Sequence, residues 1–458
     1  MTDRIDQATR QDVYARIDRR FDEFVEELRS YARVPTISAR REAESEGAEA
    51  TRAILARHGV DTRLMDVPGG PPMVVGEVGG PPGAATLILY NNHYDVQPVD
   101  PIAEWRRAPF EPVVEDGKLY ARGVADTKGN VVAQAVAQAA VREVLGTVPG
   151  RLRFMIEGEE EVGSPHLPAF ARQHPALFRG EGATIEGAGH TPEGVPELYM
   201  GSKGILYVEL RVRTAAVDQH SSLAASLPNP AWRLLDALHM IRGARGRVLI
   251  PGFYDGVPRP TREALALLRK NPFDPRAWQK AYGVTEVFGG KTRLGRLVAY
   301  CYNPTCNIDG IVSGYTGPGS KTINPAHASV KLDFRLVPGQ RPLRILAALR
   351  AHLRRKGFGD IQVIQHSTFE PGASPFSSPI GQALMAACQD VYGRPPAVFP
   401  WVGGSSSTWF YTSRGTPAAL PPGVGYSGSL IHAPNEHIRL DDARRAIKTF
   451  AALMLRWS

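Results

Sequence analysis

The chain has 458 residues, 43% hydrophobic and 22% charged, with 54 Lys and Arg against 46 Asp and Glu, a formal charge of +8 and an isoelectric point near 9.4. That length exceeds one ordinary core and implies two domains, while no apolar run approaches the ~20 residues of a membrane helix. The basic residues are scattered and no aromatic-basic motif accompanies them, which argues against nucleic acid and leaves attraction of small anionic substrates as the use of the charge.

The N-terminus, MTDRIDQATRQDVYARIDRRF, is charged and helical in pattern and lacks the apolar core of an export signal. Residues 11–33 predict one amphipathic helix, with Val13, Ile17, Phe21, Phe24, Val25 and Leu28 at helical spacing. A second helix is predicted over 46–58, then the strand MVVGEV, then a buried strand over 86–90 that emerges at Asn91 and Asn92. Beyond that strand His93 and Asp95, two apart in extended chain, face one site. Four prolines make 98–122 a loop or short-hairpin region around Trp105 and Phe110. ARGVADTKGN then enters an Ala-rich helix, so Asp126 lies in the loop before a helix N-terminus. The strand RLRFMIEG runs directly into Glu159, Glu160 and Glu161, and Glu186 follows the short apolar stretch 183–185. This alternation predicts an α/β layered domain with its site at strand ends.

Near residue 205 the pattern changes. Leu206, Val208, Leu210 and Val212 alternate with polar residues, Asn229 and Pro230 start a helix, and SVKLDFRLV precedes a helix over 341–356 and the strand IQVIQ. The result is a strand-helix-strand-strand-helix-strand unit carrying a long insertion at 245–305. It divides the chain into a first domain over 1–204 and 373–458, read below as the catalytic one, and an inserted domain over 205–372, with a last helix at 441–457.

Three consecutive glutamates repel one another, and in a cleft they require a cation or a proton among them. His93, Asp126, Glu161, Glu186 and His432 offer imidazole and carboxylate without thiolate, a donor set for Zn²⁺, Mn²⁺ or Co²⁺. A pair of such dications would outweigh three carboxylates and activate water. Glu160, beside a ligand yet not needed as one, is then the general base. Cys301, Cys306 and Cys388 form neither a disulfide framework nor a metal spacing, which points to a reducing cytoplasm.

The runs NNHYDVQPVDP, EWRRAPFEPVVEDGKLYARGVADTKGN, EGEEEVGS, DQHSSLAASLPNP, GYTGPGSKTINP and HAPNEH, in this order, resemble the co-catalytic dizinc exopeptidase family. That family includes carnosinase-type dipeptidases, glutamate carboxypeptidase, succinyl-diaminopimelate desuccinylase and acetylornithine deacetylase. The resemblance implies an α/β, phosphorylase/hydrolase-like catalytic domain with a mixed central sheet, plus an inserted α+β ferredoxin-like lid through which a homodimer forms. It implies His93, Asp126 and Glu186 at one metal and Asp126, Glu161 and His432 at the other, with Asp126 bridging. It further implies Glu160 as base, Asp95 orienting His93, and a cis peptide at Asp126–Thr127. His220 resembles the lid histidine that stabilises the oxyanion in the partner's site. Arg335 resembles the arginine that clamps a substrate carboxylate, with Thr322 and Ser405 as further substrate contacts.

Two positions depart from the family's usual wording. Ser222 stands where glycine is common. Glu186 stands where carnosinase-type dipeptidases have aspartate and where carboxypeptidases and deacylases have glutamate. The substrate expected is therefore a dipeptide, a small peptide or an N-acyl amino acid cleaved beside a free carboxylate. A noncatalytic metal- or ligand-binding protein on this scaffold is the alternative of another class. GYTGPGSKT is no phosphate loop, because Ser320 intervenes before the lysine and a strand follows. GGSSST and GYSGS both miss the serine-hydrolase elbow. His166, His190, His327 and His437 are read as loop or surface histidines.

Overall fold

The computed structural model describes residues 5–244 and 246–458. The first four residues of the helical N-terminal stretch, and Arg245 at the head of the insertion, lie outside the described residues. A six-stranded sheet forms the centre of the larger body, in the order Asp61–Met65, Met73–Val78, Arg151–Glu157, Thr86–His93, Gly182–Ile185, Ala418–Ala419. The first two pairings are antiparallel and the other three parallel, so the sheet is mixed. Leu87, Ile88 and Leu89 are fully buried, which explains the unbroken apolar run: a strand covered on both faces has no polar side to alternate with. The Ala-rich helix Lys128–Leu145 packs against this strand and against the C-terminal helix Leu440–Leu455, where small side chains permit close approach.

The expected single helix over 11–33 is two helices, Gln7–Arg19 and Phe21–Ala32. Arg20 leaves helical geometry at φ −105°, ψ 11°, and its guanidinium is tied to Glu23 and Glu143. The apolar spacing continues through the break because both helices bury their stripes against the same helix, Lys128–Leu145. Nothing in the pattern signalled the stop. Within 98–122 the chain forms a hairpin of Val113–Glu115 and Lys118–Tyr120, to which His437–Arg439 adds a third strand. That small sheet brings the C-terminal loop beside the segment carrying Asp126.

The second sheet is antiparallel, in the order Asn307–Ser313, His327–Leu336, Gly201–Arg213, Gln362–Phe369, with helices Pro230–Ile241 and Pro342–Arg355 packed on it. This is the ferredoxin-like order. Leu206, Val208, Leu210 and Val212 meet Val330, Leu332, Phe334 and Leu336 in a separate hydrophobic core. The helix Pro230–Ile241 starts where Asn229 Oδ1 accepts the N–H groups of Ala231 and Trp232. Gly201–Arg213 serves both bodies: its first residues pair with Gly372–Ala373 and Val402–Ser405, its remainder with the lid strands. The insertion is divided between the two cores: Val248, Ile250 and Phe253 pack into the lid core, whereas Ala264, Leu268, Leu297, Cys301 and Tyr302 join the larger one.

Two of the histidines read as loop or surface positions are buried. His190 reaches Gly425 O and Tyr392 Oη, and His437 reaches Asn435 O and Tyr426 Oη. Both fill polar gaps beneath the C-terminal loop, a role that residue type alone does not reveal. His166 is paired with Glu159, and His327 is exposed.

Candidate metal centre

Five segments deliver the donors. The strand Thr86–His93 ends on His93, which is fully buried. The strand Arg151–Glu157 leads through Gly158 into the short turn Glu160–Val162. The strand Gly182–Ile185 leads directly to Glu186, the turn before Lys128–Leu145 holds Asp126, and the C-terminal loop brings His432. Glu186 and His432 sit at φ 47° and 64°, left-handed backbone that non-glycine residues seldom adopt. Parallel strands end on one side of a sheet, which is why donors distant in sequence arrive together.

Asp126 lies between two imidazoles. Its Oδ1 is 3.1 Å from His93 Nε2 and its Oδ2 3.0 Å from His432 Nε2. The peptide bond from Asp126 to Thr127 is cis. His432 Nε2 also lies 3.1 Å from Glu161 Oε2. Ligand atoms of His93, Asp126 and Glu161 fall within 4.8 Å of one another, as do those of His93, Glu160 and Glu186. His93 thus belongs to both groups, and Glu160 stands in the second beside Glu186.

Asp95 has two tasks. The His93 ring Nδ1 lies 2.9 Å from the Asp95 main-chain oxygen and 3.3 Å from its carboxylate. The same carboxylate accepts the N–H groups of Glu160 at 3.2 Å and Glu161 at 3.0 Å. One side chain therefore orients a potential ligand and pins the turn that carries a base and another ligand.

The electrostatics describe a place made for cations. Burial pushes the Glu160 carboxyl well above its usual range, and Glu186 beside it pushes further. Glu161 is raised by burial and by Asp126. Hydrogen bonds donated to Asp126 and Glu161 lift His432 up to about 10, and for His93 the neighbouring carboxylates outweigh a burial that pulls the other way. Crowding among carboxylates is what two dications would relieve. With two imidazoles, four carboxylates and no thiolate, the residues fit Zn²⁺, Mn²⁺ or Co²⁺.

The substrate-facing candidates fall into two groups. Arg335, on the strand His327–Leu336, donates from Nη1 to Ser405 Oγ at 2.9 Å and pairs through Nε with Asp333 at 3.2 Å. His220 and Thr322 neighbour each other where Gln219–His220 pairs with Ile323–Asn324. Both are exposed, and the His220 ring bonds to Ser222. Among the described residues neither makes a hydrogen bond or ion pair to the cluster of carboxylates and imidazoles.

Sequence reasoning missed three residues. Glu436, fully buried, accepts four hydrogen bonds: from Arg122 Nη1 at 2.8 Å and from the main-chain N–H groups of Gly123, Ala125 and Asp126 at 3.0, 2.9 and 3.1 Å. Asn130 donates to Thr127 Oγ1 at 2.8 Å and accepts from Val424 N at 2.9 Å, in a space where Cβ atoms on Gly187 or Gly423 would clash with it. Gln97 donates to both the main chain and the carboxylate of Glu161. Glu436 lies within HAPNEH, a run valued only for its histidine. An acid four residues from a ligand was the available signal.

The sequence model described as peptidase family M20/M25/M40 matches residues 89–456. A Beta-Ala-His dipeptidase of Rattus norvegicus is 28% identical, covering 98% of this chain and 96% of its own length. A Cys-Gly metallodipeptidase of Schizosaccharomyces pombe is 26% identical, with 96% of each chain covered. Among solved structures, an M20 family metallo-carboxypeptidase of Sulfolobus solfataricus superposes with a TM-score of 0.90 at 36% identity, covering 95% of this chain and 99% of that one.

Proposed function

Because the chain belongs to peptidase family M20/M25/M40 and is a metal-dependent peptidase of the dipeptidase or carboxypeptidase type, we propose that it cleaves the amide bond next to a free carboxylate in dipeptides or small peptides. The observation that carries this reading is Asp126 touching both His93 and His432, with Glu160, Glu161 and Glu186 gathered around them. His93, Asp126, Glu161, Glu186 and His432 would hold two divalent ions, zinc by preference of the donor set. When bound, such ions polarise a carbonyl oxygen and lower the pKa of water.

The remaining work falls to side chains. Glu160 takes the proton of the attacking water and passes it to the leaving amine, a role suited to a partly buried carboxylate whose Oε2 lies 4.0 Å from His93 Nε2. Asp95 keeps the His93 ring in place. Arg335 and Ser405 receive the substrate carboxylate, the guanidinium offering a planar fork. His220 and Thr322, exposed on the lid, serve the cleft of a second copy in a homodimer, where His220 donates to the tetrahedral oxyanion. Among the described residues no helix is long and apolar enough to cross a membrane, and the working compartment is the cytoplasm, where Cys301, Cys306 and Cys388 stay unpaired.

Glu186 supports a second reading. Glutamate at this position matches carboxypeptidases and deacylases, so an N-acyl-amino-acid deacylase uses the same site with an acyl group in place of the N-terminal residue. Metal analysis joined to hydrolysis of a panel of dipeptides, C-terminally extended peptides and N-acyl amino acids, under zinc, manganese and cobalt, tests both readings. Stoichiometric metal without turnover of any of them would favour a noncatalytic binding protein.

A further inference from the structure

The insertion at 245–305 meets the larger body at the spot where Arg335 and Ser405 join. Its helix Arg293–Tyr302 ends against residues 401–405. Cys301 O accepts the Trp401 indole N–H, and the Tyr302 and Trp401 rings meet edge-on at 4.6 Å. Tyr300 Oη accepts the Gly403 N–H at 3.1 Å, and a Cβ at Gly403 would stand 2.9 Å from the Tyr300 ring, so this approach requires glycine. Two residues on, Ser405 receives Arg335. From the other side Thr305 N donates to Arg335 O at 3.0 Å. The stretch 300–305 therefore grips both halves of the Arg335–Ser405 pair.

Lys203 completes this frame. It is the strand partner of Ser405, and it lies two residues before Ile205, which faces Arg335 across the sheet. Side chains two apart share a face, so Lys203 and Arg335 project to the same side. Lys203 is 4% exposed, and its Nζ donates to Tyr300 O and Asn303 O, both at 2.8 Å. Those oxygens are carbonyls. Among the described residues no carboxylate forms a salt bridge with Lys203, and an ammonium buried without an acidic partner is costly unless an anion visits. Burial pulls it down to about 8, which leaves it charged at neutral pH.

We propose that Lys203 and Tyr300 are positioning residues for an anion subsite that takes the substrate's α-carboxylate: Tyr300 fixes the main chain at Gly403, and Lys203 anchors the insertion while adding uncompensated positive charge beside Arg335. The inference rests on the peptidase reading above and gives the insertion its role.

The test uses the metal-loaded full chain, the dipeptide that the parent enzyme turns over fastest, and the C-terminal amide of that dipeptide. Lys203→Met and Tyr300→Phe are each expected to raise KM for the free acid about tenfold, with kcat within about threefold, as loss of a hydrogen bond or charge acting in binding predicts. KM for the amide should stay at the parent value. Metal content and melting temperature report whether each variant folds, and Tyr300→Phe, which removes one hydroxyl, stands if Lys203→Met does not. Parental KM for both substrates, or equal changes for acid and amide, would overturn the inference alone. A parent enzyme that hydrolyses no peptide overturns the peptidase reading and takes this inference with it.

Discussion

The buried carboxylate of Glu436 accepts the main-chain N–H of Asp126 at 3.1 Å, so the residue between the two imidazoles is held through its backbone by an acid from the C-terminal loop. Arg122 balances that acid, with both side chains about 1% exposed. Removing one partner of a buried pair strands the other charge, at a cost of about 3–5 kcal/mol. Glu436→Gln keeps the size and half the acceptors; it is expected to lower the melting temperature and weaken metal binding together. A variant with parental metal affinity would show that Asp126 needs no such support.

Glu160→Gln is expected to keep its metal and to lower kcat by ~10²–10⁴, the usual contribution of a positioned base. Metal content by elemental analysis and steady-state kinetics on one preparation decide it. Near-parental turnover would remove Glu160 from the role of base.

Arg335→Ala should raise KM for free-acid substrates and leave amidated ones nearly untouched. Its Nη1 bond to Ser405 predicts that Ser405→Ala shifts KM in the same direction by less, since a neutral partner contributes about half as much as a charged one. Equal losses on both substrate types would make Arg335 a structural residue paired with Asp333.

Metal uptake should release protons. Before metal binds, the Asp126 and Glu161 carboxylates hold His432 up at about 10, so its ring carries a proton that the ions displace, and the raised Glu160 and Glu161 carboxyls compete with metal for protons as pH falls. Apparent metal affinity should therefore fall as pH is lowered. Calorimetric titrations in buffers of different ionisation enthalpy measure the protons released per site. Heats independent of buffer would contradict the protonation described.

Burial pushes the Glu197 carboxyl from 4.5 up to about 7. Between those values the folded chain holds a proton that the unfolded chain has lost, so the contribution to stability is full below pH 4.5 and disappears as pH rises through 7. Glu197→Gln removes this dependence. The variant should match the parent near pH 4.5 and exceed it above pH 7 by on the order of 1–3 kcal/mol. Denaturant melts at both ends of that window would show it, and a constant difference across pH would refute it.

Much of this was legible in residues 86–95 and 151–161, because strands covered on both faces must be apolar and the polar residues after them must do something at the strand ends. The alternating run 206–212 displayed the lid sheet for the converse reason. The break at Arg20 was not legible, since burial against a common helix preserves the apolar spacing on both sides of the bend. Glu436 and Asn130 escaped because most of what they hold is main chain, Gly123, Ala125 and Asp126 for one and Val424 for the other, and main-chain partners are invisible in a sequence. The insertion 245–305 was visible only as extra length, and its helix Arg293–Tyr302, packed on the larger core, was not read from the sequence.

The strand Gly201–Arg213 is hydrogen-bonded into both bodies along one uninterrupted backbone. No loop separates the lid from the site on this side, so the lid cannot swing about a slack joint. Any closing motion has to be taken up as twist along a pleated ribbon, distributed over many residues and resisted by every rung of its ladder.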